Sequence, residues 1–211
     1  MTGPLNITTS QPSSVQPQVL YGTETFQVRL WTLEPGGEIP VYPQNAAIRS
    51  QSFLIGGQVS VQSVPLAIGQ RLESTADAPV AITNPGSQAA TLLEVCQGQG
   101  FTEAPLSEVT ETRPWGSFTV LKDEPHYKLK QLQAKPGNRL SLQRHQHREE
   151  HWLVVQGHPE ITRDEDTVPL GPGDYIKIPQ HSWHRLANPA RPETGETVEI
   201  IELQLGSYFG E

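Results

Sequence analysis

The residues best equipped for chemistry crowd into one stretch of the chain. It runs Arg139-Leu-Ser-Leu-Gln-Arg-His145-Gln-His147-Arg-Glu-Glu150-His-Trp, and after a gap comes Gly173-Asp-Tyr-Ile-Lys-Ile-Pro179-Gln-His181-Ser-Trp-His184. Imidazoles and carboxylates are the side chains that bind divalent ions and carry protons. His145 and His147 are two apart, so on a strand they point to the same side, and the same alternation adds Arg139, Ser141 and Gln143 to their face. A planar guanidinium such as that of Arg139 suits a phosphate or an enediolate. His181 precedes His184 in a turn and is a candidate for a pocket mouth. Lys128 and Lys130 share a face of a neighbouring candidate strand, and either that face or the opposite one points inward. Near the end, Glu202 shares a face with Gln204. It is a candidate general base, with a solvent-facing carboxylate as the alternative.

These residues need a β framework. Short apolar or alternating runs recur at Thr25–Leu33, Ser52–Val61, Ala90–Val95, Ser117–Lys122, His126–Gln133, Arg139–His145, His151–Val155, Tyr175–Ile178 and Thr197–Leu205. Pro-Gly, Gly-Gly and Asn-Pro turns punctuate them, and 37 of 211 residues are Gly or Pro. This pattern predicts an all-β sandwich or barrel. The Ser-, Thr-, Gln- and Pro-rich residues 1–18 read as a flexible arm.

The pattern repeats. Phe26–Gly36 aligns with Tyr127–Gly137 at an offset of 101, Gly69 to Asn84 matches Gly173 to Asn188 at 104, and Leu92-Leu93-Glu94 matches Ile200-Ile201-Glu202 at 108. Two copies of one β-domain are expected, over 19–105 and 110–211. All seven histidines lie between His126 and His184, and residues 1–108 hold only three of the fifteen Lys and Arg. In the first copy Gln44, Ala46, Arg49 or Ser50, and Val80 stand where the second has His145, His147, Glu150 and His184. The first copy is thus expected to be a metal-free structural barrel.

The net charge of −8 argues against nucleic-acid binding. No apolar run is long enough to span a membrane, and Cys96 is alone, which excludes an internal disulfide. With no secretory signal at the N-terminus, a cytoplasmic protein is expected.

The His-x-His, Glu and Gly157 string followed by Gly173, Pro179, His184 and Asn188 resembles the two signature motifs of the cupin superfamily, with His181 where the motif has glycine. The resemblance implies two tandem cupin barrels (a bicupin), the second with His145, His147, Glu150 and His184 converging on one divalent ion. Three imidazoles and a carboxylate suit Zn²⁺ first, with Fe²⁺ or Mn²⁺ also compatible. Arg113-Pro-Trp-Gly-Ser-Phe, Pro136-Gly-Asn-Arg-Leu-Ser-Leu-Gln, His147-Arg-Glu-Glu-His-Trp and Glu202–Glu211 look like the isomerase domain of type II phosphomannose isomerases. That likeness implies interconversion of mannose 6-phosphate and fructose 6-phosphate, with a phosphorylated sugar as the substrate. The sequence leaves the oligomeric state open, a homodimer being one assembly compatible with it. The other readings are a non-catalytic bicupin that binds a sugar or small anion, and an Fe(II) cupin oxygenase.

Overall fold

The computed structural model describes residues 16–39, 49–75, 77–106, 109–193 and 195–210. Most of the expected arm (1–15), Gln44 and Ala46 lie outside them, and Gln18 already opens the first strand. The described residues form strands and turns, with no helix. The first copy contributes β1 Gln18–Gly22, β2 Phe26–Leu33, β3 Glu38–Ile39, β4 Arg49–Gly56, β5 Val59–Val61, β6 Val64–Leu66, β7 Arg71–Thr75, β8 Ile82–Thr83 and β9 Ala90–Gln97. The second contributes β10 Thr110–Arg113, β11 Gly116–Glu124, β12 Tyr127–Ala134, β13 Arg148–Gln156, β14 Glu160–Arg163, β15 Asp166–Pro169, β16 Tyr175–Ile178, β17 His184–Ala187 and β18 Val198–Gly206.

The expected all-β fold with a repeated strand order is what the structure shows. The first copy has sheets ordered β1–β2–β9–β4–β7 and β3–β8–β5–β6; the second has β10–β11–β12–β18–β13–β16 and β15–β14–β17. The run β2–β9–β4–β7 returns as β12–β18–β13–β16. A shared clasp marks both copies. Gly36 (φ 75°) donates its N–H to the Asn84 carbonyl at 2.9 Å, and Gly137 (φ 73°) donates to that of Asn188 at 3.0 Å. The Asn84 amide donates to the Leu33 and Gln88 carbonyls, and the Asn188 amide to those of Ala134 and Glu196. Each asparagine thereby satisfies carbonyls of two separate segments, which would be costly to bury unpaired.

Two expected strands differ. Ser52–Val61 is broken by Gly57, whose φ of 77° suits glycine. Arg139–His145 is no regular strand: it makes isolated bridges only, from Arg139 to Ala187 and from Gln143 to His184.

Compactness divides the chain differently from the repeat. One unit is built on Arg29–Glu94, the other on Val19–Val28 and Val95–Glu211. Within the second unit the Tyr21 hydroxyl bonds Glu199, Gln97 Nε2 donates to the Val154 carbonyl, and Gly22 bridges Ala104. These bonds give 19–28 and 95–105 to the second unit rather than the first.

In the second unit Leu129, Leu153, Ile201 and Leu203 are buried on one face of the sheet, while on the other face the apolar cluster sits at one end of the strands. Along β12 and β18 the paired positions run Ala134–Val198, Leu132–Ile200, Lys130–Glu202 and Lys128–Gln204. The first two pairs, with Trp152, Val154, Ile161, Ile178 and Leu186, form the apolar cluster. Each such side chain contributes about 1.5–3 kcal/mol on full burial. That apolar end offsets the cost of holding charged groups at the other.

Candidate metal centre

Beyond the core, the inward face of β13 and β18 turns ionic. Glu150 lies between two imidazoles: its Oε1 is 3.3 Å from His145 Nε2 and its Oε2 is 3.3 Å from His184 Nε2. One ligand atom from each of the three residues lies within 4.8 Å of the others. Glu150 and His184 are buried, and the His145 side chain is 11% exposed. His184 reaches its place from the start of β17, where Gln143 and His184 exchange backbone hydrogen bonds of 2.9 and 2.8 Å.

His147 is not part of this group. The chain bends at Gln146–His147 before β13 begins at Arg148, so the alternation assumed across 145–147 is broken there. His147 is exposed, and its ring meets Tyr208 edge-on at 6.4 Å. The bend brings in Arg148 instead. Arg148 is buried, with Nε donating to Glu150 Oε1 at 2.9 Å, Nη2 at 2.9 Å from His145 Nε2, and Nη1 donating to the Gly210 carbonyl at 2.8 Å. Sequence reasoning gave Arg148 no role. The signal was its position between two histidines and two glutamates.

The donor set fits a divalent ion. His184 Nδ1 lies 3.0 Å from the Ser182 carbonyl, so that nitrogen carries the proton. Nε2 then turns its lone pair toward Glu150, buried and without a hydrogen-bond partner. Two electron-rich atoms at 3.3 Å call for a positive charge between them. Bonds of about 2.0–2.1 Å at tetrahedral angles would set neighbouring ligand atoms about 3.4 Å apart. An ion that takes His145 Nε2 displaces the Arg148 contact to that nitrogen. When no ion fills that place a proton can: burial disfavours a charged His184, yet the hydrogen bond that a protonated Nε2 makes to Glu150 and the charge of that carboxylate outweigh it and raise its proton affinity. Burial alone would likewise raise the Glu150 carboxyl. The hydrogen bond and charge of His184, the charge of His145 and the Arg148 bond prevail and hold it at about 2.

Glu202 is buried beside this group, not solvent-facing. Trp152 Nε1 donates to its Oε1 at 3.1 Å, Gln204 Nε2 to its Oε2 at 3.0 Å, and Lys130 Nζ is 3.7 Å away. Burial, then the charge of Glu150, push its carboxyl up to about 8 against the pull of Lys130 and Arg148.

A cavity of about 310 Å³ opens on Glu202. Ser141 and Gln143 line it, with Arg148, Lys130, Arg113 and Gln204. Arg139 does not; it is exposed, and Leu140 faces the cavity in its stead because the irregular segment does not alternate. Lys128 also lies outside the lining, its Nζ 2.8 Å from Asp123 Oδ2. The His181 side chain is exposed. Its backbone, at φ 67°, takes the left-handed form that the glycine of the motif would supply, and its N–H holds the His145 carbonyl at 2.8 Å. His151, of opposite parity to Glu150, bonds Tyr175 and Glu149.

The first copy replaces this arrangement. The pairings Ser50–Ser74 and Glu150–Ile178 put Ser50 in the place of Glu150. Glu94, the counterpart of Glu202, accepts from Ser50 Oγ at 2.6 Å and Trp31 Nε1 at 2.7 Å, with Arg29 at 3.8 Å.

Residues 102–211 match the family model described as mannose-6-phosphate isomerase C-terminal. Over 99 residues the chain is 46% identical to the alginate biosynthesis protein AlgA of Pseudomonas aeruginosa, covering 47% of this chain and 20% of that protein. Over 110 residues it is 37% identical to a mannose-1-phosphate guanylyltransferase of Sinorhizobium fredii, covering 51% and 21%. The chain thus spans about a fifth of the length of these relatives. Among solved structures, a cupin 2 conserved barrel domain protein from Leptotrichia buccalis aligns over 93% of this chain and 91% of its own, at 16% identity and a TM-score of 0.41. With more than half of its residues inside the family match, the chain belongs to the mannose-6-phosphate isomerase C-terminal family.

Proposed function

We propose that the protein is a metal-dependent sugar-phosphate isomerase that interconverts mannose 6-phosphate and fructose 6-phosphate, with zinc as the first choice of ion. The observation that carries this reading is the position of Glu202, a buried carboxylate facing a cation-lined cavity within one side chain of the His145–Glu150–His184 group. His145, Glu150 and His184 would hold the ion, which when bound supplies a Lewis acid to the sugar carbonyl. Glu202 takes the proton from C2 and returns it to C1, while the proton of the C2 hydroxyl passes to the C1 oxygen, so that aldehyde becomes alcohol and alcohol becomes ketone with no net change in atoms. A carboxyl raised toward neutrality is a stronger base than an ordinary glutamate, as that transfer needs. Trp152 and Gln204 fix the Glu202 oxygens, so the base does not swing away between removal and return. Lys130 opposes the negative charge that builds on the sugar. Membership of the family supports this reading.

The test is to load the protein with zinc, manganese or iron, add mannose 6-phosphate, and follow fructose 6-phosphate. Conversion that stops in Glu202→Gln supports the proposal. No conversion with any ion favours the non-catalytic sugar- or anion-binding reading. The two-histidine, one-carboxylate donor set also occurs in Fe(II) oxygenases. Here a cavity walled by Lys130, Arg148 and Glu202 favours an anionic, hydroxyl-rich ligand over an apolar one.

A further inference from the structure

The Arg113-Pro-Trp-Gly string has no part in the steps above, yet Arg113 and Trp115 both line the cavity. Across the six-stranded sheet the cavity residues Glu202 on β18, Lys130 on β12, Phe118 on β11 and Arg113 on β10 lead in order away from Glu150 on β13. Neighbouring strands lie about 4.8 Å apart, so Glu202 is one step and Lys130 two steps from Glu150. Lys130 Nζ and Arg113 Cζ then approach one ring, that of Phe118, at 5.2 and 5.0 Å from its centroid. Two cations on one aromatic ring concentrate positive charge on the β12–β11–β10 side of the cavity, away from Glu150 on β13. Ser141 Oγ belongs to the same cavity and already takes part in a hydrogen bond, from Gln143 Nε2 at 3.1 Å.

We propose that Arg113 and Lys130, set about the Phe118 ring with the Ser141 hydroxyl, form a subsite for a phosphate monoester dianion. It fixes the direction of the substrate: phosphate at the β10–β11 end, reacting carbons at Glu202. This rests on the isomerase reading for the sugar, but not for the anion. The present partner of Arg113 is Glu111, at 2.7 Å, and the two side chains are 44% and 52% exposed. An ion pair that open is worth little. Exchanging Glu111 for a phosphate with two parallel guanidinium hydrogen bonds therefore costs little and forms stronger contacts. Lys130 is anchored by Glu202 at 3.7 Å and adds a point charge to the fork of Arg113.

The test uses inorganic phosphate, mannose 6-phosphate and unphosphorylated mannose as probes of the full chain, with binding followed by calorimetry or by the fluorescence of the protein, since Trp115 lines the cavity. Mannose 6-phosphate is expected to bind more tightly than mannose. Arg113→Gln should weaken mannose 6-phosphate by about tenfold to a hundredfold, the size of a lost charge-assisted contact, and leave mannose unchanged. Arg113→Lys should recover part of the loss. Glu111→Gln should act oppositely and tighten phosphate binding, because it removes the competing carboxylate; a merely structural Arg113 would not show this. In turnover assays Arg113→Gln should raise KM more than it lowers kcat. Wild-type affinity for mannose 6-phosphate in Arg113→Gln, with isomerisation intact, overturns the subsite and spares the isomerase reading. Phosphate binding that fails in Arg113→Gln, in a protein that isomerises nothing, sinks the isomerase reading and keeps the subsite.

Discussion

Glu150 and Glu202 share one indole: Trp152 Nε1 lies 3.1 Å from Glu150 Oε2 and 3.1 Å from Glu202 Oε1. Gln204 Nε2 repeats the pattern from the other side, at 3.1 and 3.0 Å. Two buried carboxylates so bridged repel one another. The environment divides their roles, since Glu150 has His145, His184 and a direct bond from Arg148, while Glu202 feels only the more distant charges of Lys130 and Arg148. The first keeps its charge for a cation, and the second holds its proton tightly enough to exchange it.

Glu202→Gln keeps the hydrogen-bonding shape and removes the base. Turnover of mannose 6-phosphate should fall by about 10²–10⁴, the usual contribution of a positioned general base. Zinc content, measured by mass spectrometry, should stay at one per chain. A variant with more than a tenth of wild-type turnover would exclude Glu202 as the base.

The bend at Gln146–His147 separates the two histidines of the motif. Zinc titration should therefore find His184→Ala empty and His147→Ala filled. Equal loss in both would show that His147 swings in when the ion binds. Glu150→Ala should also lower stability by about 3–5 kcal/mol, because it strands the buried Arg148 guanidinium. His184→Ala strands no charge and should cost less. Chemical denaturation of the metal-free proteins separates the two.

Stability of the metal-free protein should depend on pH through Glu202. Its folded carboxyl titrates near 8 against 4.5 as a free side chain, so between these values the folded state holds a proton that the unfolded state has lost. Stability present below about 4.5 is lost as pH rises through 8. Glu150 adds a slope of the opposite sign only at the lower edge of this window, where its unfolded carboxyl finishes titrating near 4.5 while the folded one, near 2, is already ionised. Urea midpoints should decline from pH 5 to pH 8; His184, whose proton affinity is also raised, adds to this decline, so Glu202→Gln should make it shallower without abolishing it. A slope unchanged in that variant assigns the effect elsewhere.

Much of the fold was legible because the strands alternate and the turns use residues with one purpose. Gly36, Gly137, Asn84 and Asn188 carry the repeat at offsets of 101 and 104, and the clasps they form are the same in both copies. The site was legible where alternation holds, as for Glu202 with Gln204. It misled where the backbone leaves the strand. Nothing in Arg139–His147 announces a bend: there is no Gly or Pro, and tertiary bonds from His181 and His184 shape the segment. Parity carried along the irregular segment gave Arg139 an inward position, and parity carried through the bend gave His147 one and left out Arg148, which the start of β13 turns inward. Arg113 was visible as a motif, but its side chain joins the cavity only through sheet order.

The first copy offers the converse test. Its Glu94 is fully buried and already satisfied by Ser50 and Trp31, a serine standing where the second copy has Glu150. With no imidazole beside it, this carboxylate serves to tie β9 to β4 and β2 rather than to recruit an ion. Glu94→Ala removes the acceptor of two buried donors and leaves a cavity, two effects that each destabilise. The summed cost should be about 3–5 kcal/mol by denaturant unfolding. Glu94→Gln preserves the shape, and its amide oxygen can still accept from Trp31 or Ser50, so it should cost less. Zinc content in both variants should remain one per chain. If zinc is lost at native pH from a folded Glu94→Gln protein, Glu94 has a part in metal binding and the structural role assigned to it is wrong.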